Sequence, residues 1–192
     1  MENAHLHIKN MVCPRCISTV NRVLTEAGLP VLNVTLGEAQ LSVPETDVDF
    51  DSLNNALQQE GFELIYDREK QLAEQIKNQL INYLEHFQTH YEPVTTSAYL
   101  TDKLNLPYQY LSKIFSRQEN TTIEKYFIRL KIEKVKELLS YNQLTLSEIA
   151  YQLKYSSLQH LSSQFKKVTG ISVSEYKNAT ASPPRTSLDS LI

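Results

Sequence analysis

Residues Thr145–Tyr176, TLSEIAYQLKYSSLQHLSSQFKKVTGISVSEY, contain the signals for two helices separated by a tight turn. Thr145 followed by Glu148 is a capping box, which marks a helix start, and Ile149 and Ala150 then fall on its inner face. Lys154 to Ser157 form the turn. Leu158, Leu161 and Phe165 recur at helical spacing and anchor the second helix. Ser157, Gln159, Ser163, Gln164 and Lys167 are left facing outward, and Gly170 suits a left-handed helix end.

The pattern occurs twice. Leu111-Ser112-Lys113-Ile114-Phe115 returns as Leu161-Ser162-Ser163-Gln164-Phe165, Asn120 answers to Gly170 and Tyr126 to Tyr176, all at one offset of 50 residues. In the earlier copy Leu100 and Leu104 point inward, and Asn105-Leu106-Pro107 forms the turn. Leu111 and Phe115 anchor its second helix, leaving Gln109, Ser112, Lys113 and Arg117 outside. Thr121 and Glu124 form a further capping box, opening a long helix over about 123–139 that joins the copies. A short helix, a tight turn and a second helix with a polar outer face make a helix-turn-helix, so residues 93–177 read as an all-α domain with two such units.

Outward from there the pattern changes. In residues 1–67, Leu6 and Ile8 alternate as a strand, and Ile17, Val20, Val23 and Leu24 share a helix face that Gly28 and Pro30 end. Leu32, Val34 and Leu36 alternate, Gly37 turns the chain, and Leu41 and Val43 alternate again as a hairpin. Asp49 or Asp51 caps a helix carrying Leu53, Ala56 and Leu57. Phe62, Leu64 and Tyr66 form a last strand. The order βαββαβ predicts a ferredoxin-like fold, so the chain as a whole is α+β. Residues 68–92 read as a linker helix that is also the first helix of the second domain, with Leu72, Ile76, Leu80, Leu84 and Phe87 as its stripe and Pro93 as its stop. Residues 178–192, rich in Ser, Thr and Pro, read as a loose tail.

Charge divides along the same line. Residues 1–70 hold five basic and eleven acidic side chains, a net −6, whereas residues 71–192 hold fourteen and eleven, a net +3. The two halves should therefore meet different partners. No apolar run approaches the roughly 18 residues a membrane span needs, and no signal-peptide pattern opens the chain, so a cytoplasmic, non-membrane protein is expected. With four glycines in the whole chain and no nucleophile-base grouping, no enzyme activity is expected.

The segments Thr145–Tyr176 and YLSKIFSRQENTTIEKYFIRLKIEKVKELL (110–139) resemble the C-terminal signature of bacterial AraC-type transcription regulators, over roughly residues 70–177. The resemblance implies sequence-specific binding of a double-stranded DNA operator, with RNA polymerase and a second copy of the chain as further possible partners. Carried over by position, Gln109, Ser112 and Lys113 face bases in one major groove, with Arg117 further along. Ser157, Gln159 and Ser163 do so in the next groove, and Lys166 and Lys167 meet phosphate. The chain departs from the pattern at three places. Lys154-Tyr155 replaces a Gly-Phe pair, Val173 replaces a proline, and no arginine occupies the base-facing positions.

Cys13 and Cys16, the only cysteines, lie between the first strand and first helix. A helix N-terminus favours thiolate, and two thiolates about one turn apart suit a soft ion. The loop NMVCPRC, the hairpin VLNVTLGEAQLSV and the segment ALQQEGFELI resemble the heavy-metal-associated domain of copper chaperones and metal-pumping ATPases, over about residues 3–67. That resemblance implies Cys13 and Cys16 as ligands, Met11 pointing into the core below them and Phe62 shielding the site, with Cu(I) favoured over Zn(II) or another soft metal. Three readings stay open. The whole chain is a metal-responsive regulator, a thiol-redox-sensing regulator, or a copper-trafficking protein with a helical interaction domain; for the N-terminal fold by itself, a vestigial module that binds a partner protein stays open as well. His86 and His90, one helical turn apart, and His5 and His7, on one strand face, lack further ligands and read as solvated. His160 either contacts DNA or packs.

Overall fold

Ala4, Leu6 and Ile8 alternate with His5, His7 and Lys9, and the alternation builds strand β1 (Ala4–Lys9) with its even residues buried. The computed structural model describes residues 3–86 and 94–178. Helix α1 (Pro14–Glu26) follows, then the hairpin β2 (Val31–Thr35) and β3 (Glu38–Leu41), helix α2 (Phe50–Gln59) and the short strand β4 (Glu63–Leu64). The strands form one antiparallel sheet in the order β2-β3-β1-β4. Val20, Val23 and Leu24 from α1, with Leu53 and Leu57 from α2, close a core over Leu6, Ile8 and Leu41.

Two details differ from the alternation of the sequence. In β2 a register irregularity lies between Val31 and Asn33. It turns Leu32 outward, 54% exposed, while Val31 and Val34 face the core. An extra residue in one strand reverses every later side chain, so a simple period of two misassigns the face. The last strand is also shorter than Phe62–Tyr66. Asp67 Oδ1 accepts the amides of Glu69 and Lys70 (3.0 and 2.9 Å), a cap that turns the chain out of the sheet and leaves Tyr66 exposed.

That cap starts helix α3 (Arg68–His86). Its buried face is wider than the stripe of apolar residues: Glu74, Lys77 and Asn78 are buried beside Ala73, Ile76 and Leu80, and Leu72 is only half-buried. Asn78 donates to the Leu36 carbonyl at 3.3 Å and Gln75 donates to Glu38 at 2.7 Å, so the helix rests on the β2–β3 turn. Phe87, His90, Pro93, the end of the 68–92 helix and the tail from residue 179 lie outside the described residues, as does the side chain of His86.

The remaining helices are α4 (Thr96–Leu104), α5 (Tyr108–Glu119), α6 (Ile123–Tyr141), α7 (Leu146–Gln152), α8 (Leu158–Thr169) and α9 (Val173–Asn178). The chain divides into two compact units. Met1–Gln79 groups with Gln109–Glu119, and Leu80–Tyr108 groups with Asn120–Ile192. In the second unit Tyr83 stacks on Tyr99 (centroids 4.7 Å) and on Phe127 (5.4 Å), tying α3, α4 and α6 together. Among the described residues, no helix is long and apolar enough to cross a membrane.

Gly37 is the one glycine whose added Cβ would meet neighbouring atoms. Its φ is +82°, and a Cβ there would lie 2.1 Å from Asn78 Nδ2. Gly37→Ala is expected to lower unfolding stability by about 2 kcal/mol, through the left-handed backbone and the displaced Asn78. Adding Asn78→Ala should not restore it, because the backbone part remains. Denaturant midpoints of the three proteins check this.

Candidate nucleic-acid interface and thiol loop

The second helix pair is built by its caps. Thr145 Oγ1 accepts the Glu148 amide at 3.3 Å and Glu148 accepts the Thr145 amide at 2.7 Å, a complete capping box at the start of α7. Leu153 ends the helix. Lys154 then takes φ +54°, where most side chains crowd the backbone. Ser157 Oγ accepts the His160 amide at 3.0 Å and starts α8. The earlier pair matches in position. Helices α4 and α7 begin at residues 96 and 146, and α5 and α8 at 108 and 158. Each turn holds one left-handed residue, but not at the same offset: Asn105 (φ +52°) would answer to Tyr155, whereas in the second turn Lys154 takes that conformation. Asn120 and Gly170 both end their helices left-handed. The long helix is capped by Thr122, which accepts the Lys125 amide at 3.2 Å, and not by Thr121.

Ile149, Ala150, Leu153, Leu161, Phe165, Val173 and Tyr176 are buried, with Phe165 and Tyr176 edge to face at 5.5 Å. Leu158 is not among these anchors. It is 42% exposed, because the first helical residue projects past the core. Gln159, Ser163, Lys166 and Lys167 are all exposed and follow one another at helical spacings of four, seven and eight, so they make a single outer stripe of α8. Ser157 is exposed at the head of that stripe with its oxygen engaged as a cap, which leaves its proton free to donate. His160 packs edge to face on Tyr155 (5.4 Å), and its Nδ1 lies 3.0 Å from Ser156 Oγ.

On α5, Gln109 and Lys113 are exposed and Ser112 is half-buried. Arg117, on the same face, is taken up by Glu69 of α3 in an ion pair, and the neighbouring Gln118 donates to the same carboxylate at 3.0 Å. Of the four residues expected to face DNA from α5, Gln109 and Lys113 are thus open, Ser112 is half-buried and Arg117 is engaged inside the first unit.

Tyr155 lies in the turn between α7 and α8. Its ring is buried under Lys131 Nζ at 3.8 Å, and its hydroxyl has no hydrogen-bond partner among the described residues. Burial pushes the Tyr155 hydroxyl up and the Lys131 ammonium down to about 8.

In the first unit, Cys13 is the N-cap of α1 and Cys16 lies in its first turn, with Pro14 as the first helical residue. The Cys13 sulfur does not cap the helix. It faces Cys16 Sγ at 3.5 Å, and both cysteines are free and half-buried. Cys16 Sγ also lies 4.0 Å from the Asn10 carbonyl. Burial pushes the Cys16 thiol up, with the Cys13 sulfur adding to it, against the lowering effect of the Val12 and Cys13 backbone. Met11 and Phe62 are buried in the core against which Cys16 packs. Among the described residues no third His, Cys, Asp or Glu completes a metal cluster. His5 is exposed, and His7 Nδ1 faces Glu38 at 3.6 Å. Two sulfurs alone fit a soft ion of low coordination number better than tetrahedral Zn(II).

A family model described as a helix-turn-helix domain matches residues 100–179. The chain is also similar to the Msm operon regulatory protein of Streptococcus mutans, with 31% identity over 78 residues, 41% of this chain and 28% of that one. It is similar to the raffinose operon transcriptional regulatory protein RafR of Pediococcus pentosaceus, with 30% identity over 102 residues, 53% of this chain and 36% of that one. A third relative is the HTH-type transcriptional regulator YdeC of Bacillus subtilis, with 24% identity over 117 residues, 61% of this chain and 39% of that one. The chain thus spans about a third of the length of these relatives.

The sequence reading passed over Glu69, Glu74, Lys77 and Glu119. They read as ordinary surface charges on helices. The only signal for Lys77 was its place one residue beyond Ile76 in the apolar stripe of α3.

Two outcomes are expected from this geometry. Tyr155→Phe should raise stability by about 1 kcal/mol in thermal or denaturant unfolding, since it removes a buried hydroxyl without a partner. A folded-state pKa near 8 against an ordinary 10.5 means that the unfolded chain holds the Lys131 proton more tightly. Lys131 therefore opposes folding below pH 8, and this opposition is relieved as pH rises from about 8 to 10.5. The stability difference between wild type and Lys131→Met should shrink across that window, as measured by unfolding at matched pH values.

Proposed function

We propose that this chain is a transcription regulator that reads duplex DNA with α5 and α8 and adjusts its grip when a soft metal ion occupies Cys13 and Cys16. The observation that carries the DNA reading is the outer stripe of α8. Polar Gln159 in the first turn and Ser163 at mid-helix stand where base edges would be met, and Lys166 and Lys167 stand in the last turn, where phosphate would be met. Gln109, Ser112 and Lys113 offer the equivalent set from α5. Two relatives are named as regulators of operons, which accords with an operator as the ligand.

The βαββαβ order and the two-sulfur loop favour a heavy-metal-associated module. Cys13 and Cys16 would hold Cu(I), which supplies no chemistry beyond thiolate coordination. Met11 and Phe62 keep the floor of the loop apolar. Since the same two sulfurs lie 3.5 Å apart, a disulfide is the competing input.

Selection of bound duplexes from a random pool, with the reduced protein and with or without Cu(I), tests the reading. Recovery of a defined sequence is expected. Failure to bind any duplex at low salt would overturn the regulator assignment and favour a trafficking role. On the selected site, Lys166→Ala with Lys167→Ala should reduce the slope of log affinity against log salt by about 2, with base preference unchanged. Gln159→Ala should instead relax the preference at one base position. Cys13→Ser with Cys16→Ser should abolish any response to Cu(I) and leave DNA affinity in its absence intact. A response that follows disulfide formation and not Cu(I) would make the input redox.

A further inference from the structure

Lys77 is among the most deeply buried side chains of the first unit, 2% exposed, and its ammonium stands between two carboxylates. Nζ lies 2.8 Å from Glu74 Oε2, three residues earlier on α3, and 3.1 Å from Oε1 of Glu119, the last residue of α5. The other oxygen of Glu74, Oε1, accepts the backbone amide of Asn10 at 3.2 Å. Asn10 has φ +72° and opens the thiol loop, its side chain donating to the Gly61 carbonyl at 2.9 Å and its own carbonyl lying 4.0 Å from Cys16 Sγ. Cysteine sulfur, Asn10, Glu74, Lys77 and Glu119 therefore form one unbroken line of polar contacts, all within a single compact unit.

From this line we infer that Lys77 is a positioning residue through which the state of the thiol loop sets the hold on the C-terminal end of α5. The inference rests on the reading of α5 as a DNA-facing helix and of the two thiols as the input site.

The arrangement is a poor way to stabilise a fold. Burying the charges of Lys77 and Glu74 carries a desolvation cost, and apolar side chains of similar volume commonly do as well. A carboxylate on the last residue of a helix also sits at the negative end of the helix dipole. Glu119 is held there by Lys77, and Arg117 and Gln118 are held beside it by Glu69. The final turn of α5 is thus latched to α3 by consecutive residues, and one of those latches shares its cation with a carboxylate that touches the loop. Asn10 cannot follow a rearranged Cys16 without moving the amide that Glu74 accepts. A change at Glu74 alters how Lys77 is divided between its two carboxylates, and Glu119 feels the difference.

The test uses the full chain with Cu(I) under reducing conditions and compares wild type with Glu119→Gln. This variant keeps the shape, leaves Lys77 paired with Glu74, and changes a partly exposed group, so the fold is expected to survive. Hydrogen exchange of the backbone amides of residues 116–120 is read with and without one equivalent of Cu(I), and Cu(I) uptake is measured by competition with a chromophoric chelator. In wild type, Cu(I) should change exchange in this turn at least threefold. In Glu119→Gln the change should fall within error, at unaltered Cu(I) affinity. A second variant, Lys77→Met with Glu74→Leu and Glu119→Leu, removes all three charges together, and it too should bind Cu(I) without the exchange response. Equal Cu(I)-induced changes in wild type and Glu119→Gln, or Cu(I) binding with no change in wild type, would overturn the relay while leaving the metal site standing. No Cu(I) uptake at all would overturn the metal reading, and the relay with it.

Discussion

A lysine ammonium taken out of water must be surrounded by oxygen, and Lys77 draws its oxygens from both ends of the first unit's chain. Glu74 comes from its own helix, and Glu119 comes from a helix forty residues further along the sequence. Lys77 and Glu69 of α3 both hold the last turn of α5, and all of these residues lie in one compact unit, although the repeat in the sequence assigns α5 to the helical half. The apolar contacts of α3 would tolerate small shifts; a shared cation with short contacts on two sides tolerates far fewer.

Elements that depend on local signals were legible in the sequence. The capping box at Thr145 and Glu148, the left-handed ends at Asn120 and Gly170, and the fixed offset between α5 and α8 each follow from a few adjacent residues. The errors came where a distant partner or a backbone irregularity decides. Leu32 read as core because alternation was carried across a break in register. Leu158 read as an anchor because helical spacing does not reveal that the first residue of a helix overhangs the core. Thr121 and Thr122 are equally good caps on paper, and the left-handed Asn120 delays the helix by one residue.

The interface candidates divide the same way. Gln159, Ser163 and Lys167 face outward by periodicity and Lys166 came with the family resemblance; all four are exposed. Arg117 also follows from periodicity, yet its guanidinium is engaged by Glu69, a residue on another helix that no pattern in the sequence links to it. Cys16 stands at a helix start, which favours thiolate, and the core beneath it adds a burial that raises the thiol and that spacing does not reveal. Position on an element can be read from spacing, whereas the electrostatic state of a side chain depends on what the fold brings against it.

The irregularity in β2 has a consequence for association. This strand is one rim of the sheet, and the opposite rim, β4, is only two residues long. A break in pairing on one side and a truncated strand on the other deny an incoming chain a straight ladder of free amides and carbonyls. Sheet extension by a foreign strand, and the open-ended stacking it leads to, is therefore blocked at both borders, even with Leu32 turned to solvent.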